Sequence, residues 1–294
     1  MAMYWPLPSL DGKRLFITGY QPRNEFLRYD LQSRQFVPTL AGLSGTELEF
    51  SKDGKWVAYV SIPDGSLFRA AADGSQRLQI TSVPFVAMPH WSPDGTQIAF
   101  TAGNPTRIYV APFDGGAVRR VTNGESGKNG DMDPSWSPDG ASLAFGAHYS
   151  IDAAVEESIH VVDLRTKHVS ALPGSERMWA PRWSPDGRLI AGLSLRRQKL
   201  MLYDLRTRKQ TVLFEQDSGW PSWSWDGKFL FFASDSNRWI SRVRMRDGEV
   251  ERVTNLTKGR AHNTEWFAAA PDNSLITARD AGTDEIYALN WDAP

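Results

Sequence analysis

The 294-residue chain contains no cysteine, which excludes disulfide frameworks and thiolate metal sites. No apolar run approaches the roughly 18 residues that a membrane helix needs, and nothing near the amino terminus has the pattern of a signal peptide. Neither sign of charge is in excess. The 33 Lys and Arg face 34 Asp and Glu, for a formal charge of −1, so no basic footprint points to nucleic acid. No segment sustains a helical period. There is no Gly-x-Ser-x-Gly, which excludes the nucleophile elbow of the α/β-hydrolases. Gly124-Glu125-Ser126-Gly127-Lys128 lacks the first Gly of a phosphate loop, and no helix pattern follows it.

What the chain does have is one short motif, seven times over. It reads Pro8-Ser9-Leu10-Asp11-Gly12, Phe50-Ser51-Lys52-Asp53-Gly54, Trp91-Ser92-Pro93-Asp94-Gly95, Trp136-Ser137-Pro138-Asp139-Gly140, Trp183-Ser184-Pro185-Asp186-Gly187, Trp223-Ser224-Trp225-Asp226-Gly227 and Ala269-Ala270-Pro271-Asp272-Asn273. Successive Asp residues are 42, 41, 45, 47, 40 and 46 positions apart. A period in the low forties is that of a β-propeller blade. Pro, Asp and Gly make each motif a turn, and a short apolar run such as Trp56–Val60 or Phe229–Phe232 follows it. A further strand, a second polar turn and a strand ending near Thr complete a four-stranded antiparallel unit.

The fold expected is therefore all-β. It is a single propeller over residues 1–294, with seven repeats of four-stranded blades and the last blade incomplete. Trp5–Pro8 is expected to form the innermost strand of the first blade. The last repeat stops after a third strand, Ile286–Leu289. Met1–Tyr4 can span only about 14 Å, too short to supply the missing strand. The expectation is a three-stranded last blade, or a homodimer formed through the open blade edge. Trp91, Trp136, Trp183 and Trp223 occupy one fixed blade position and are read as packing between blades.

The repeat Trp-Ser-Pro-Asp-Gly-x-x-Ile-Ala-Phe, then Ile-Tyr-Val, Asp-Gly-Gly and Arg-x-Thr, is fullest from Trp91 to Thr122. It resembles the TolB-like propeller repeat over essentially the whole chain. Arg165-Thr166, Leu172–Glu176, Pro181–Gly187 and Glu285–Leu289 look similar to the C-terminal propeller of bacterial winged-helix transcriptional regulators. That resemblance implies a sensor part on the extracytoplasmic side of a membrane-anchored regulator. It also implies that Met1 is an internal start within a longer product. The same repeat forms the propeller of prolyl-oligopeptidase-like enzymes, whose hydrolase domain has no counterpart here.

Sites on propellers gather where the channel opens. The segments between blades carry Glu47 and Glu49, His90, Glu125, Asp131 and Asp133, Glu176, Arg177 and Arg182, Glu215 and Asp217, and His262, Asn263 and Glu265. The loop after Phe145 adds His148, Asp152, Glu156 and Glu157. These are expected on the face of the inter-blade loops. Imidazole with carboxylate suits Zn²⁺ or Mn²⁺, and carboxylates alone suit Ca²⁺. A metal-activated water there would make a hydrolase. In that reading Asp133, His148 and His262 are the metal ligands or water activators, with His90 and Glu47 in support and Arg182 on an anionic substrate. Trp5, Trp179, Trp220 and Trp266 stand near the mouth, where they either pack or stack on a sugar or peptide. The favoured reading is non-catalytic: a sensor propeller binding a protein, peptide or small ligand through Glu47, His90, Arg182, Trp220, Glu265 and Trp266. A self-associating structural propeller is the third reading. His160 and His168 read as structural or exposed, and Arg196–Lys199 as a solvated edge.

Overall fold

The computed structural model describes residues 2–124, 126, 130–147, 158–195, 199–234, 239–256 and 266–290, with residues 2–5 described by their backbone alone. Seven antiparallel sheets account for the seven motifs, six of four strands and one of three. The architecture is an all-β propeller.

Each turn motif works through one ionised carboxylate. In the first six copies the Asp Oδ1 accepts from the motif Ser hydroxyl at 2.5–2.8 Å and from the amide two residues on at 3.0–3.1 Å. The same Ser oxygen accepts the first amide of the next strand at 2.9–3.0 Å. The serine hydroxyl, foremost, and that amide hold the carboxyls of Asp53, Asp94 and Asp139 below the usual range. Gly54 closes its turn at φ 69°, and Asn273 does the same at 62° in the copy without Gly. Asn is the non-glycine residue best suited to this region.

Five blades are contiguous in sequence, over residues 45–81, 87–120, 131–171, 178–214 and 218–255. Each inner strand runs into a turn motif, and the next strand is nearly all buried, as in Trp56–Ser61, Gln97–Ala102 and Phe229–Ser234. The sixth sheet joins the two ends of the chain. Phe267–Ala269 and Leu275–Asp280 supply its inner strands, and Asn24–Asp30 and Gln35–Pro38 its outer ones. Six apolar clusters occupy the six seams of this ring. The last two join Phe231 and Ile240 to Phe267 and Tyr29, and Trp266 and Phe26 to Leu48 and Tyr59. The closing blade thus packs on both its neighbours, and the ring is sealed within one chain.

The incomplete sheet is the three-stranded one, and its composition corrects the expected strand assignment. Thr283–Asn290, which contains Ile286–Leu289, pairs with Arg14–Gln21 and not with the inner strands of the last blade. Ala2–Pro8 is the third strand and not an innermost blade strand. The reason is register. Residues 14–21 pair with 283–290, and residues 24–29 continue the same register against 275–280. The Ala281 amide donates to the Arg23 carbonyl at the crossing, at 2.8 Å. One ribbon some 50 Å long therefore has one half inside the closing blade and the other half outside the ring. No residue of the outer half belongs to any of the six clusters. A Cβ on Gly282 would lie 2.5 Å from the Tyr20 hydroxyl, so a larger residue where the ribbon leaves the blade would displace the Tyr20 ring. There the Tyr20 hydroxyl donates to Asp280 at 2.6 Å, and that bond pushes the Tyr20 pKa up to about 12.

The two halves differ in what they contribute to stability. Phe26, fully buried at the closing seam, should cost about 3–5 kcal/mol on truncation to Ala. Ile286→Thr, at a side chain 77% exposed on the outer half, should stay within about 0.5 kcal/mol. Equilibrium denaturation of the two variants measures both.

Candidate functional site in the central channel

The inner strands share a further repeat around the blade Trp: Met88-Pro89-His90-Trp91, Asp133-Pro134-Ser135-Trp136, Ala180-Pro181-Arg182-Trp183 and Trp220-Pro221-Ser222-Trp223, with Glu47-Leu48-Glu49-Phe50 in the first blade. Proline cannot donate to a strand ladder and is confined there to edges and bulges. The pairing register shifts at this point in all five strands. Glu47, Met88, Asp133, Ala180 and Trp220 all have positive φ, between 51° and 61°. A left-handed residue in a bulge turns the strand and re-aims its side chains, here toward the axis of the ring.

This corrects the expected position of the charged residues. Glu47, Glu49, His90, Asp131, Asp133 and Arg182 lie on inner strands, not in inter-blade loops. Asp131 plays a structural part: it is fully buried, and its carboxylate accepts from the amides of Gly124 and Ser126 at 2.8 and 2.9 Å. A protein carboxylate thus occupies the amides of the segment that resembles a phosphate loop. The other five, Glu47, Glu49, His90, Asp133 and Arg182, converge. Arg182 donates to Asp133 Oδ1 at 2.6 Å, and His90 Nδ1 is 2.9 Å from Glu49 Oε1. His90 Nε2 is 3.7 Å from Asp133 Oδ1, beyond hydrogen-bond reach. Glu47 Oε2 accepts the Met88 amide at 2.6 Å, and Glu49 Oε2 accepts the Trp91 amide at 2.6 Å.

The blade tryptophans hold this ring together, as their spacing predicts. The indole N–H of Trp91, Trp136 and Trp223 donates to the carbonyl of Glu49, His90 and Arg182 respectively, each in the preceding blade, at 2.9–3.1 Å. Trp183 departs from the pattern. Its backbone amide donates to Ser135 Oγ at 2.9 Å and its indole to Gly187.

Electrostatics within the cluster follow from enclosure. Burial opposes ionisation of Asp133, yet Arg182 and His90 outweigh it and hold its carboxyl below the usual range. Burial likewise opposes protonation of His90, while Glu49 and then Asp133 raise its pKa overall. Glu47 has no such compensation. Desolvation inside the ring pushes it up to about 7; the Met88 amide works against this, and Asp133 adds to it. Two carboxylates therefore match two cations, and Glu47 is the fifth, unmatched group.

A cavity of about 290 Å³ lies on the axis. One part of its wall is charged, from Glu47, Glu49, His90 and Arg182; another is aromatic, from Trp220, Trp223, Trp225 and Trp266. Pro93, Pro138 and Pro185 of the turn motifs also line it. The cavity thus lies toward the turn-motif end of the inner strands, opposite the inter-blade face expected from the sequence. Asp133 sits behind its wall, beneath His90 and Arg182.

His148, Glu125, Asp152, Glu156, Glu157, His262, Asn263 and Glu265 lie outside the described residues, as does the Trp5 side chain. Trp179 packs on the apolar cluster between the fourth and fifth blades. Glu215 pairs with Lys199, and Glu176 accepts the Gly174 amide. His160 stacks on Phe145, with ring centroids 5.7 Å apart, and His168 is exposed, both as expected. Among the described residues no group of three or more His, Asp and Glu is arranged to hold a metal ion. Also among the described residues, no helix is long and apolar enough to cross a membrane.

The sequence matches no family model. Solved structures with a similar fold include the putative TolB from Agrobacterium tumefaciens, with TM-score 0.68, 20% identity and coverage of 88% of this chain and 98% of that one. A chain of a nidogen/laminin complex gives TM-score 0.64 at 14% identity, over 87% and 98%. An oligogalacturonate lyase in complex with manganese gives 0.55 at 18% identity, over 78% and 73%. At these identities the likeness concerns the fold, which many activities share. The fold shared with them is the β-propeller.

Two outcomes test the cluster. Asp133→Ala leaves Arg182 buried without its carboxylate and should cost about 3–5 kcal/mol in denaturant unfolding. Glu47 binds its proton more tightly folded than unfolded, so the stability it gives is present below about pH 4.5 and is lost as pH rises to about 7. Glu47→Gln escapes that loss. Its stability relative to the parent should rise by on the order of 2 kcal/mol between pH 5 and pH 8, measured by urea unfolding at both.

Proposed function

We propose that this propeller is a non-catalytic recognition module that takes a small ligand, or a side chain of a peptide, into the central channel. One observation carries the reading: the channel holds a cavity of about 290 Å³ with charged and aromatic parts to its wall. Ligand sites combine an apolar, largely aromatic lining with a few placed polar groups. The polar groups of the cluster are mutually satisfied, apart from Glu47 and His90 Nε2. Such a site is set up to bind rather than to activate a nucleophile. The resemblance of Pro181–Gly187 and Glu285–Leu289 to regulator propellers supports a sensor role, in which occupancy of the channel is passed to a transcriptional partner.

Thermal unfolding in the presence of single amino acids, dipeptides and hexoses tests the binding reading. At least one class should raise Tm by 2 °C or more at millimolar concentration, through mass action on the folded state. Trp220→Ala should abolish that shift. Absence of any shift across all three classes would discard the channel as a ligand site.

A further inference from the structure

We propose that the channel pocket selects ligands carrying a cationic amino group, held between the Glu47 carboxylate and the indole rings of Trp220 and Trp266. This deepens the reading of the channel as a ligand site and rests on it.

Charge sets Glu47 apart from its neighbours. Glu49 has His90, and Asp133 has Arg182. Among the described residues no Lys, Arg or His forms an ion pair with Glu47, which accepts a hydrogen bond from the Met88 amide. The groups acting on Glu47 through space are Asp133, which repels its charge, and His90 and Arg182, which favour it. Both cations are already engaged by other carboxylates. An enclosed carboxylate without a partner is costly, and an ammonium group in the pocket removes that cost.

The second observation is the wall. Trp220 and Trp266 occupy, in the fifth and closing blades, the repeat position that Glu47 occupies in the first, and the closing blade packs on the first. All three line the cavity. Indole faces attract cations more strongly than any other side-chain ring. The remaining cation of the wall, Lys52, is exposed at the turn, where solvent screens it. An anionic ligand would find Arg182 already committed and would meet Glu47 itself.

Calorimetric titration with three probes that share a phenylethyl body tests this: phenethylamine, neutral 2-phenylethanol and anionic 3-phenylpropionate. Phenethylamine should bind saturably at pH 8 and at least tenfold tighter than either of the others. Its affinity should fall about tenfold from pH 8 to pH 6, as Glu47 takes up its proton around pH 7. Glu47→Gln, shown folded by its circular dichroism and Tm, should remove the preference for the amine. Equal binding of amine and alcohol would overturn the charge selection and leave an aromatic pocket. Preference for the anion would overturn it in favour of Arg182 or Lys52. Amine binding that survives in Glu47→Gln would place the amine elsewhere and also overturn it. If none of the three binds, the amine proposal is overturned, and the response to the wider ligand set decides whether the pocket reading goes with it.

Discussion

Everything in this molecule depends on the ring being closed. Each blade presents an apolar face that its own four strands do not cover, and the six clusters lie at the seams between blades. A ring with one open seam would expose two such faces, each several buried side chains wide. Closure is achieved by β-pairing between sequence-distant segments, Leu275–Asp280 against Asn24–Asp30, with salt bridges across it. Arg279 is 2.5 Å from Glu25, and Arg28 pairs with Asp272. Asn24 adds a bond to the next seam, donating to the Gly45 carbonyl at 3.2 Å. These contacts cannot form until both ends of the chain are present, so the most non-local pairing in the fold also completes two of its seams.

The channel inherits its character from that closure. Trp266 and Trp220 belong to the cluster that joins the closing blade to the first, and they are also wall residues of the cavity. The charged part of the wall comes from the first, second and fourth blades. The same bulge places a carboxylate in one blade and an indole in another. The backbone repeats while the chemistry does not, which allows a symmetric scaffold to hold an asymmetric pocket.

Much of the fold was legible in the sequence because the turn motif is strict. Ser and Asp two residues apart, followed by Gly, make the same bonds from Ser9–Asp11 to Ser224–Asp226. Strand pairing at the two ends was not legible. The motif at Asp11 looks like the start of a blade, but it joins Ala2–Pro8 to Arg14–Gln21 in the outer sheet. A turn signature specifies a hairpin and not the sheet to which it belongs. Glu47, His90, Asp133 and Arg182 were recognisable as candidates, although their setting was misread. The prolines beside His90, Asp133 and Arg182 look like loop signals, and in this fold they mark bulges inside strands. Glu49 was passed over as a site residue, although it stands where His90 and Arg182 stand, one residue before the blade aromatic. Aligning the repeats on Pro-x-Trp-Ser would have placed it in the ring.

The bulge has one consequence for how such a chain can change. Five inner strands hold a non-glycine residue in the left-handed region, at a cost of roughly 1 kcal/mol or more each. Glycine would relieve that cost at every one of them, and it would strip the lumen of the Glu47, Met88 and Trp220 side chains. Glu, Met, Asp, Ala and Trp stand there instead, five unlike side chains on one repeated backbone. At Glu47, Met88 and Trp220, which line the cavity, a substitution alters what the lumen offers without asking the strands to move. The row behaves as a set of exchangeable sockets, in which specificity can drift while the architecture stays still.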